Sequence, residues 1–294
     1  MYQGTFTALV TPFTADNQVD TAAFRQLIDF QFDNGVTGIV PTGTTGESPT
    51  LTHEEHRRVI ALAVEYARGR GPVIGGTGSN STAEAISLTQ SAEAAGCEAV
   101  LQVCPYYNKP SQEGLFQHFK AVADSTLCKI ILYSIPGRSS IEIGVDTTAR
   151  LAAACPNIVC MKEAGGSVER VNQLVAACPP DFTVLSGDDS LTLSFMAVGA
   201  TGVVSVASNI IPREMSDLVN AALAGDFTTA RTVHCRCYPL MSAFLKLDTN
   251  PVPIKTAMAL KGMMRGDLRL PLVGMNAEKQ GELRAVMAQL GLVK

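Results

Sequence analysis

The sequence lacks any concentration of basic side chains and has few charged residues of either sign. Charged residues make up 17% of the 294 positions, the formal net charge is −4, and Lys and Arg are scattered apart from short pairs such as Arg57-Arg58. Nucleic acid is therefore not an expected partner. There is also no low-complexity stretch, and a hydrophobic fraction of 46% is typical of a folded enzyme and not of a disordered chain.

Signals for secretion, membrane insertion and paired-cysteine chemistry are missing as well. The amino-terminal stretch 1–7 has neither the basic start nor the apolar core of a signal peptide. The charge-free window 191–211 is interrupted by Gly199, Gly202 and polar residues, so it predicts a helix followed by a strand and no membrane span. None of the eight cysteines forms a C-x-x-C pair. We therefore expect small buried thiols in a reducing cytoplasm.

Short β-rich runs alternate with helix-period segments along most of the chain. Strands are predicted at 5–10, 38–41, 73–75, 99–104, 129–135, 158–162, 183–186 and 202–206, with amphipathic helices at 21–33, 53–68, 83–95 and 113–124. Eight such units at a period of roughly 25 residues predict an α/β fold, the (β/α)8 TIM barrel. An open doubly wound sheet is the alternative, although no nucleotide-binding loop follows the first strand.

The strand signal stops after about residue 225. We predict a catalytic barrel over residues 1–224 and a helical C-terminal extension over 225–294, with a rigid break at 250–253. Helix starts support this register: Thr52 precedes Glu55, and Ser81 precedes Glu84, at the spacing of a capping box. The pair Asp188-Asp189 is interpreted as a helix N-cap.

The catalytic groups of a TIM barrel lie at the carboxyl ends of its strands, and Lys162 ends the apolar sixth strand. Burial of an ammonium is costly and favours the neutral amine, which can attack a ketone to form a Schiff base. The alternative is a lysine without a catalytic role that reaches solvent and pairs with Glu163. We favour the functional interpretation at this strand end.

Two further strand ends carry candidate groups. Tyr133 ends strand five and could relay a proton, although it could equally be a core aromatic residue, and Arg138 just beyond could bind a carboxylate through its planar fork. After strand two, the loop Gly43-Thr44-Thr45-Gly46-Glu47-Ser48 suits an anion. A phosphate competes with a small carboxylate there, but no lysine follows at P-loop spacing.

A metal site is not favoured by the histidine spacing. His53 and His56 lie three residues apart, whereas the zinc-protease pattern requires four, and no third ligand cluster stands nearby in sequence. We therefore expect neither a metal nor another cofactor.

Taken together, six motifs resemble the dihydrodipicolinate synthase family, nearly from end to end of the chain. They are Gly43-Thr44-Thr45-Gly46-Glu47, Cys104-Pro105-Tyr106-Tyr107-Asn108-Lys109-Pro110, the run from Tyr133 to Arg138, Met161-Lys162-Glu163-Ala164, Ser186-Gly187-Asp188-Asp189 and Asn250-Pro251-Val252-Pro253-Ile254-Lys255. The lysine and glycine-threonine motifs are shared with sugar-acid aldolases of the wider superfamily. The pairs Thr44-Thr45 and Tyr106-Tyr107, together with Arg138, are more particular to the synthases.

The resemblance implies a condensation of pyruvate with L-aspartate 4-semialdehyde. It implies that Lys162 forms an imine with pyruvate, that Tyr133, Thr44 and Tyr107 relay protons, and that Arg138 binds the aldehyde's carboxylate. It assigns substrate binding also to Thr45, Gly187 and Val204. Tyr107 is expected from a neighbouring subunit of a homotetramer built as a dimer of dimers.

The resemblance also implies feedback inhibition by L-lysine at a second site. That site comprises Ser48, Pro49, His53, His56, Asn80, Glu84 and Tyr106. Pro49 departs from the alanine expected there. Three rival functions stay open: an aldolase for a sugar acid, a binding barrel without catalysis, and a metal-dependent hydrolase or class II aldolase.

Overall fold

The fold was obtained as a computed structural model that describes residues 1–293. Eight strands form one sheet, and every strand pair is parallel. In chain order they are Gly4–Ala8 (β1), Gly38–Val40 (β2), Ile74–Gly76 (β3), Ala99–Val103 (β4), Lys129–Ser134 (β5), Ile158–Glu163 (β6), Thr183–Ser186 (β7) and Gly202–Ser205 (β8). All eight predicted strands are present, and each strand end lies within two residues of its predicted position.

The sheet closes on itself between its first and last members in the hydrogen-bonded order. That order runs β2-β1-β8-β7-β6-β5-β4-β3. A parallel bridge between Ile39 and Val73 joins β2 to β3, and the Gly76 amide donates to the Pro41 carbonyl across the same seam at 3.0 Å. The predicted (β/α)8 barrel is therefore confirmed, and the open doubly wound alternative is wrong.

Helices follow the strands as the pattern predicted. Their bounds are Thr21–Asp33 (α1), His53–Ala67 (α2), Thr82–Ala94 (α3), Gln112–Asp124 (α4), Pro136–Ser139 (α5), Val145–Ala154 (α6), Val168–Ala177 (α7), Thr192–Ala197 (α8), Pro212–Leu223 (α9), Phe227–Lys246 (α10), Val252–Leu260 (α11) and Ala277–Gln289 (α12). Beyond residue 225 the regular elements of the described chain are helices α10 to α12, and α10 ends before the predicted break at 250–253. The division of the chain at residue 225 stays a prediction.

The predicted helix caps are only partly correct. Thr52 and Glu55 form the full capping box of α2. Ser81 accepts the Glu84 amide at 3.4 Å, but the Glu84 carboxylate turns to Ser79 and His53 instead of completing the box. Asp188 caps a short 3-10 turn through the Ser190 amide at 2.9 Å.

Strand alternation separates two apolar cores. Inward-facing residues such as Ile131, Cys160 and Leu185 fill the barrel, whereas their neighbours Leu132 and Met161 pack outward against the helices. A side chain's face is set by the two-residue period of the strand, because successive Cβ atoms point to opposite sides. This period also decides which polar side chains enter the barrel.

The window 191–211 forms α8 and β8, as predicted, and within residues 1–293 no helix combines the length and apolar character that crossing a bilayer requires. All eight cysteines are free thiols. Six of them are buried, Cys178 is half-buried and Cys235 is exposed.

Candidate active site

Lys162 projects into the barrel from the carboxyl end of β6. It follows Cys160 by two residues and therefore shares its inward face. Only 6% of the residue is exposed, and its Nζ lies 4.0 Å from the centroid of the Tyr133 ring. Tyr133 and Lys162 are register partners on adjacent strands, so the sheet itself sets this contact.

Burial lowers the pKa of the Lys162 ammonium from 10.5 to about 7. The nearby Asp189 carboxylate opposes the shift, whereas the Arg138 guanidinium adds to it. A substantial fraction of the amine is consequently neutral near pH 7, which is the form that attacks a carbonyl carbon.

The alternative in which Lys162 pairs with Glu163 is wrong. Glu163 points to the opposite face of β6, where its Oε2 accepts from the Arg170 Nε at 2.8 Å. Adjacent residues on a strand face opposite ways, and so Glu163 is kept out of the barrel.

Tyr133 lies beside the lysine with 5% of its surface exposed. Burial raises the pKa of its phenol to about 12, while the Arg138 charge and a hydrogen bond with the Thr44 side chain act in the opposite direction. The phenol is therefore neutral at rest and can both donate and accept a proton.

Thr44 and Thr45 lie in the loop between β2 and α2. Thr45 is buried, and its Oγ1 accepts the Asn250 Nδ2 at 3.0 Å. Since the Asn250 amide fills one acceptor position, the Thr45 hydroxyl keeps its proton available for an incoming oxygen. Asn250 belongs to the segment before α11, far away in sequence.

Arg138 stands on the short helix α5 at the rim of the barrel. Its Nη2 donates to the Asn250 carbonyl at 3.0 Å, and the side chain is otherwise exposed. Asn250 thus contacts both Thr45 and Arg138. The sequence had indicated Asn250 only as part of a motif and a chain break, and had not identified it as a site residue.

Gly187 directly follows β7, and Val204 lies within β8. A Cβ at Gly187 would lie 2.7 Å from the Ala164 Cβ and 3.0 Å from the Lys162 Cε, so only glycine leaves room for the lysine. Val204 is buried inside the barrel with Leu185 and Tyr133.

The prediction that both aspartates after β7 act as a cap is wrong for Asp189. Asp189 is buried, and its Oδ2 accepts the amides of Val206 and Ala207 at 3.0 and 2.9 Å. Burial raises the pKa of this carboxyl to about 6. Its position at a strand end was the signal that could have identified it as a neighbour of Lys162.

A cavity of about 420 Å³ joins part of this site to the predicted lysine site. On one side it is lined by Thr44, Tyr133 and Arg138. Six of the seven residues predicted for the lysine site line the other side: Ser48, Pro49, His53, His56, Glu84 and Tyr106. The seventh, Asn80, donates from its Nδ2 to the Tyr106 carbonyl at 3.1 Å.

The two histidines of α2 have protein partners. His53 Nε2 lies 2.6 Å from the Glu84 Oε1, and the buried His56 donates from Nε2 to the Gly76 carbonyl at 2.8 Å. Burial lowers the pKa of His56. Hydrogen bonds from Ser79 and then from His53 lower the pKa of Glu84, so it remains a carboxylate. Within residues 1–293 no three His, Cys, Asp or Glu side chains form a metal-ligand group.

Tyr107 does not lie in the site of its own chain. It is 90% exposed and has a φ of +73°, in the left-handed region that non-glycine residues rarely adopt. Its neighbour Tyr106 is 40% exposed and lines the cavity. The expected grouping of Tyr107 with Tyr133 and Thr44 is therefore not made within one chain.

Comparison with known proteins defines the family. Residues 1–290 match the model of the dihydrodipicolinate synthetase family. The chain belongs to this family. A curated 4-hydroxy-tetrahydrodipicolinate synthase from Aquifex aeolicus is 49% identical over 292 residues, which cover 99% of both chains.

Solved structures agree with the sequence matches. The 4-hydroxy-tetrahydrodipicolinate synthase of Methylacidiphilum fumariolicum SolV superposes with a TM-score of 0.97 at 50% identity, over 99% of this chain and 96% of that chain. A dihydrodipicolinate synthase from Cyanidioschyzon merolae with lysine bound has a TM-score of 0.96 at 40% identity, with 99% of each chain covered. As a member of the dihydrodipicolinate synthetase family, the chain is an enzyme of the class I aldolase-type lyases.

Proposed function

We propose that this enzyme condenses pyruvate with L-aspartate 4-semialdehyde through a Schiff base on Lys162, giving 4-hydroxy-tetrahydrodipicolinate for diaminopimelate and L-lysine biosynthesis in the cytoplasm. The observation that carries the proposal is the buried Lys162 amine beside the Tyr133 ring. The 49% identity to a curated 4-hydroxy-tetrahydrodipicolinate synthase supports the choice of substrates.

The first chemical step is attack of the neutral Lys162 amine on the C2 carbonyl of pyruvate. Tyr133 gives a proton to the developing alkoxide and then helps the carbinolamine to lose water, which leaves the imine. Thr44, in contact with Tyr133, passes protons between this phenol and the next member of the relay. We assign that next position to Tyr107 of a neighbouring subunit.

Carbon–carbon bond formation follows. Loss of a C3 proton turns the imine into an enamine, which attacks the aldehyde carbon of the second substrate. The amino group of that substrate then displaces Lys162, closes the ring and regenerates the free lysine. We assign the pyruvate carboxylate to Thr45 with its loop, and the second carboxylate to Arg138. Gly187 admits the substrate beside Lys162, and Val204 contacts pyruvate through its backbone.

The exposure of Tyr107 supports a shared active site. A tyrosine that is 90% exposed with a left-handed backbone has neither packing nor local geometry to explain its position in a monomer. We therefore propose that a dimer is the smallest competent unit and that two dimers form a homotetramer.

We further propose that L-lysine inhibits the enzyme from the His53–Glu84 side of the shared cavity. Glu84 would accept the ligand's ammonium, while Asn80 and Tyr106 would bind its amino-acid end. The lysine-bound relative supports a site of this kind. Pro49 keeps its carbonyl acceptor but stiffens the loop.

Borohydride reduction in the presence of pyruvate, followed by peptide mass mapping, tests the central step. We expect one pyruvate adduct, located on Lys162. Active enzyme whose Lys162 peptide stays unmodified would refute the mechanism. Turnover of a sugar acid in place of the aldehyde, with tolerance of Arg138→Ala, would instead indicate the sister aldolase.

A further inference from the structure

The loop that carries Thr44 and Thr45 holds an unfavourable backbone conformation. We call this segment, residues 42–50, the threonine loop. Thr42 has a φ of +54° and Glu47 a φ of +55°, and neither residue is a glycine. Such a conformation is unfavourable for a residue with a side chain and persists only where surrounding contacts hold it.

Those contacts centre on the Glu47 side chain, which is fully buried. Its Oε1 lies 2.5 Å from the Nζ of Lys255, whose side chain is also fully buried. Its Oε2 accepts the Arg269 amide at 3.0 Å. Lys255 donates in addition to the Thr11 carbonyl at 3.0 Å, and the Thr11 hydroxyl donates to the Gly46 carbonyl at 2.7 Å.

The far end of the threonine loop is fixed from the same direction. The Arg269 guanidinium donates to the Thr50 carbonyl at 2.9 Å and pairs with Glu55 at 2.6 Å. Lys255 lies on α11 and Arg269 lies between α11 and α12, so the contacts with Glu47 and Thr50 come from the chain beyond the barrel's last strand.

Stability alone does not account for such a pair. Replacing both members of a buried ion pair by apolar side chains is often neutral or stabilising, whereas removing one member leaves an uncompensated charge. What an apolar pair cannot supply is the set of directed hydrogen bonds from Lys255 and Arg269 to the Glu47 carboxylate.

We propose that Glu47 and Lys255 are positioning residues, and that the C-terminal helices thereby hold Thr44 and Thr45 in the geometry that binds a substrate carboxylate. Neither residue touches the substrate. The inference rests on the proposed function in taking pyruvate as that substrate.

The test compares single and double variants by steady-state kinetics and thermal unfolding. Glu47→Met and Lys255→Met alone should each lower the melting temperature. The double variant Glu47→Met/Lys255→Met should recover most of that stability, because no buried charge is left unpaired. Its KM for pyruvate should nevertheless stay raised roughly tenfold or more, because a binding group displaced by a fraction of an ångström loses affinity. The KM for the aldehyde substrate, bound through Arg138, should change less than about twofold.

Leu283→Ala is the matched control. Leu283 is a buried residue of α12 in the main core, so its truncation destabilises the same helices without touching the threonine loop. A stable double variant with the wild-type KM for pyruvate would overturn the proposal. So would a Leu283→Ala variant with an equal rise in that KM.

Amide hydrogen exchange separates this proposal from the proposed function. Peptides that cover residues 42–50 should exchange faster in the double variant than in the wild type, while other barrel peptides keep their rates. Unchanged exchange in those peptides refutes the positioning role whatever the substrate is. Failure of borohydride to trap pyruvate on the wild-type enzyme refutes the proposed function alone.

Discussion

Lys162 and Lys255 are both buried lysines with an aromatic ring below the ammonium, yet their surroundings differ. Lys162 is 6% exposed and lies 4.0 Å from the Tyr133 ring centroid, and Lys255 is completely buried at 4.3 Å from that of Phe13. Lys255 has a carboxylate at 2.5 Å. Within residues 1–293 no carboxylate comes within ion-pairing distance of Lys162.

The difference shows that burial alone does not make a lysine reactive. Burial lowers the pKa of both ammonium groups, but at Lys255 the Glu47 carboxylate directly opposes the shift. At Lys162 only the more distant Asp189 carboxylate opposes the shift, and the pKa of the Lys162 ammonium falls to about 7. The lysine with a carboxylate partner is held in an ion pair, whereas the lysine without one has the environment that favours a neutral, nucleophilic amine.

Removal of the Lys162 amine should lower kcat more than any of the other substitutions. Lys162→Ala should lower kcat by several orders of magnitude, because no other group can form the imine, while circular dichroism and the melting temperature report an intact fold. Mass mapping after borohydride treatment should find no pyruvate on Lys255 in this variant. An adduct on Lys255 would break the distinction between the two lysines.

Tyr133→Phe should have the next largest effect. It keeps the ring beside the Lys162 amine but removes the hydroxyl, so kcat should fall by roughly 10²- to 10⁴-fold. Phe13→Leu, which alters the ring beside Lys255, is the matched control. It should lower the melting temperature and have a smaller effect on kcat than Tyr133→Phe. Comparable kcat losses in the two variants would mean that the Tyr133 hydroxyl relays no proton.

The pH dependence of pyruvate trapping reports the pKa of Lys162. The rate of pyruvate adduct formation should rise with pH up to about 7 and then level off as Lys162 becomes neutral. If the rate of adduct formation instead rises tenfold per pH unit up to pH 9, Lys162 has the pKa of an ordinary lysine.

Stability should follow the same titration. In the unfolded chain Lys162 titrates near 10.5, so between pH 7 and 10.5 the unfolded state binds a proton that the folded state has lost. The free energy of unfolding should therefore rise with pH across this interval, by at most about 1.4 kcal/mol per unit. Lys162→Met should remove that contribution in urea unfolding measured at several pH values.

Substitutions in the proposed L-lysine site should have the smallest effect on kcat. In that site the ammonium of free L-lysine would pair with Glu84, as the Lys255 ammonium pairs with Glu47. Glu84→Thr or His56→Lys should relieve inhibition at millimolar lysine and leave kcat within about threefold, since neither side chain reaches Lys162. Glu54→Thr, which alters an exposed carboxylate on the same helix as His56, should keep the inhibition. Rates unchanged by saturating lysine in the wild type, together with no binding heat, would remove the regulatory site from the proposal.

Much of the fold could be read from the sequence because the signals are local. Short β-rich runs between helix-period segments predicted the eight strands, and the two-residue period of a strand puts Lys162 and Cys160 on one face. The first and last residues of α1, Thr21 and Asp33, are those that the sequence predicted. The helix caps were harder to predict, because Glu84 and Asp189 have competing hydrogen-bond partners on other elements.

The sequence alone determined the barrel, the order of its units and the lysine at the end of β6, since periodicity and strand-end position are properties of neighbouring residues. Which charged groups contact one another depends on the tertiary fold. Glu47 and Lys255 are 208 residues apart, and Asn250 is 205 residues from Thr45. Contacts at such separations depend on how the C-terminal helices pack against the barrel, and they leave no periodic trace in the sequence. That packing gives Lys255 a carboxylate partner, whereas Lys162 has none because Glu163 faces the other side of β6.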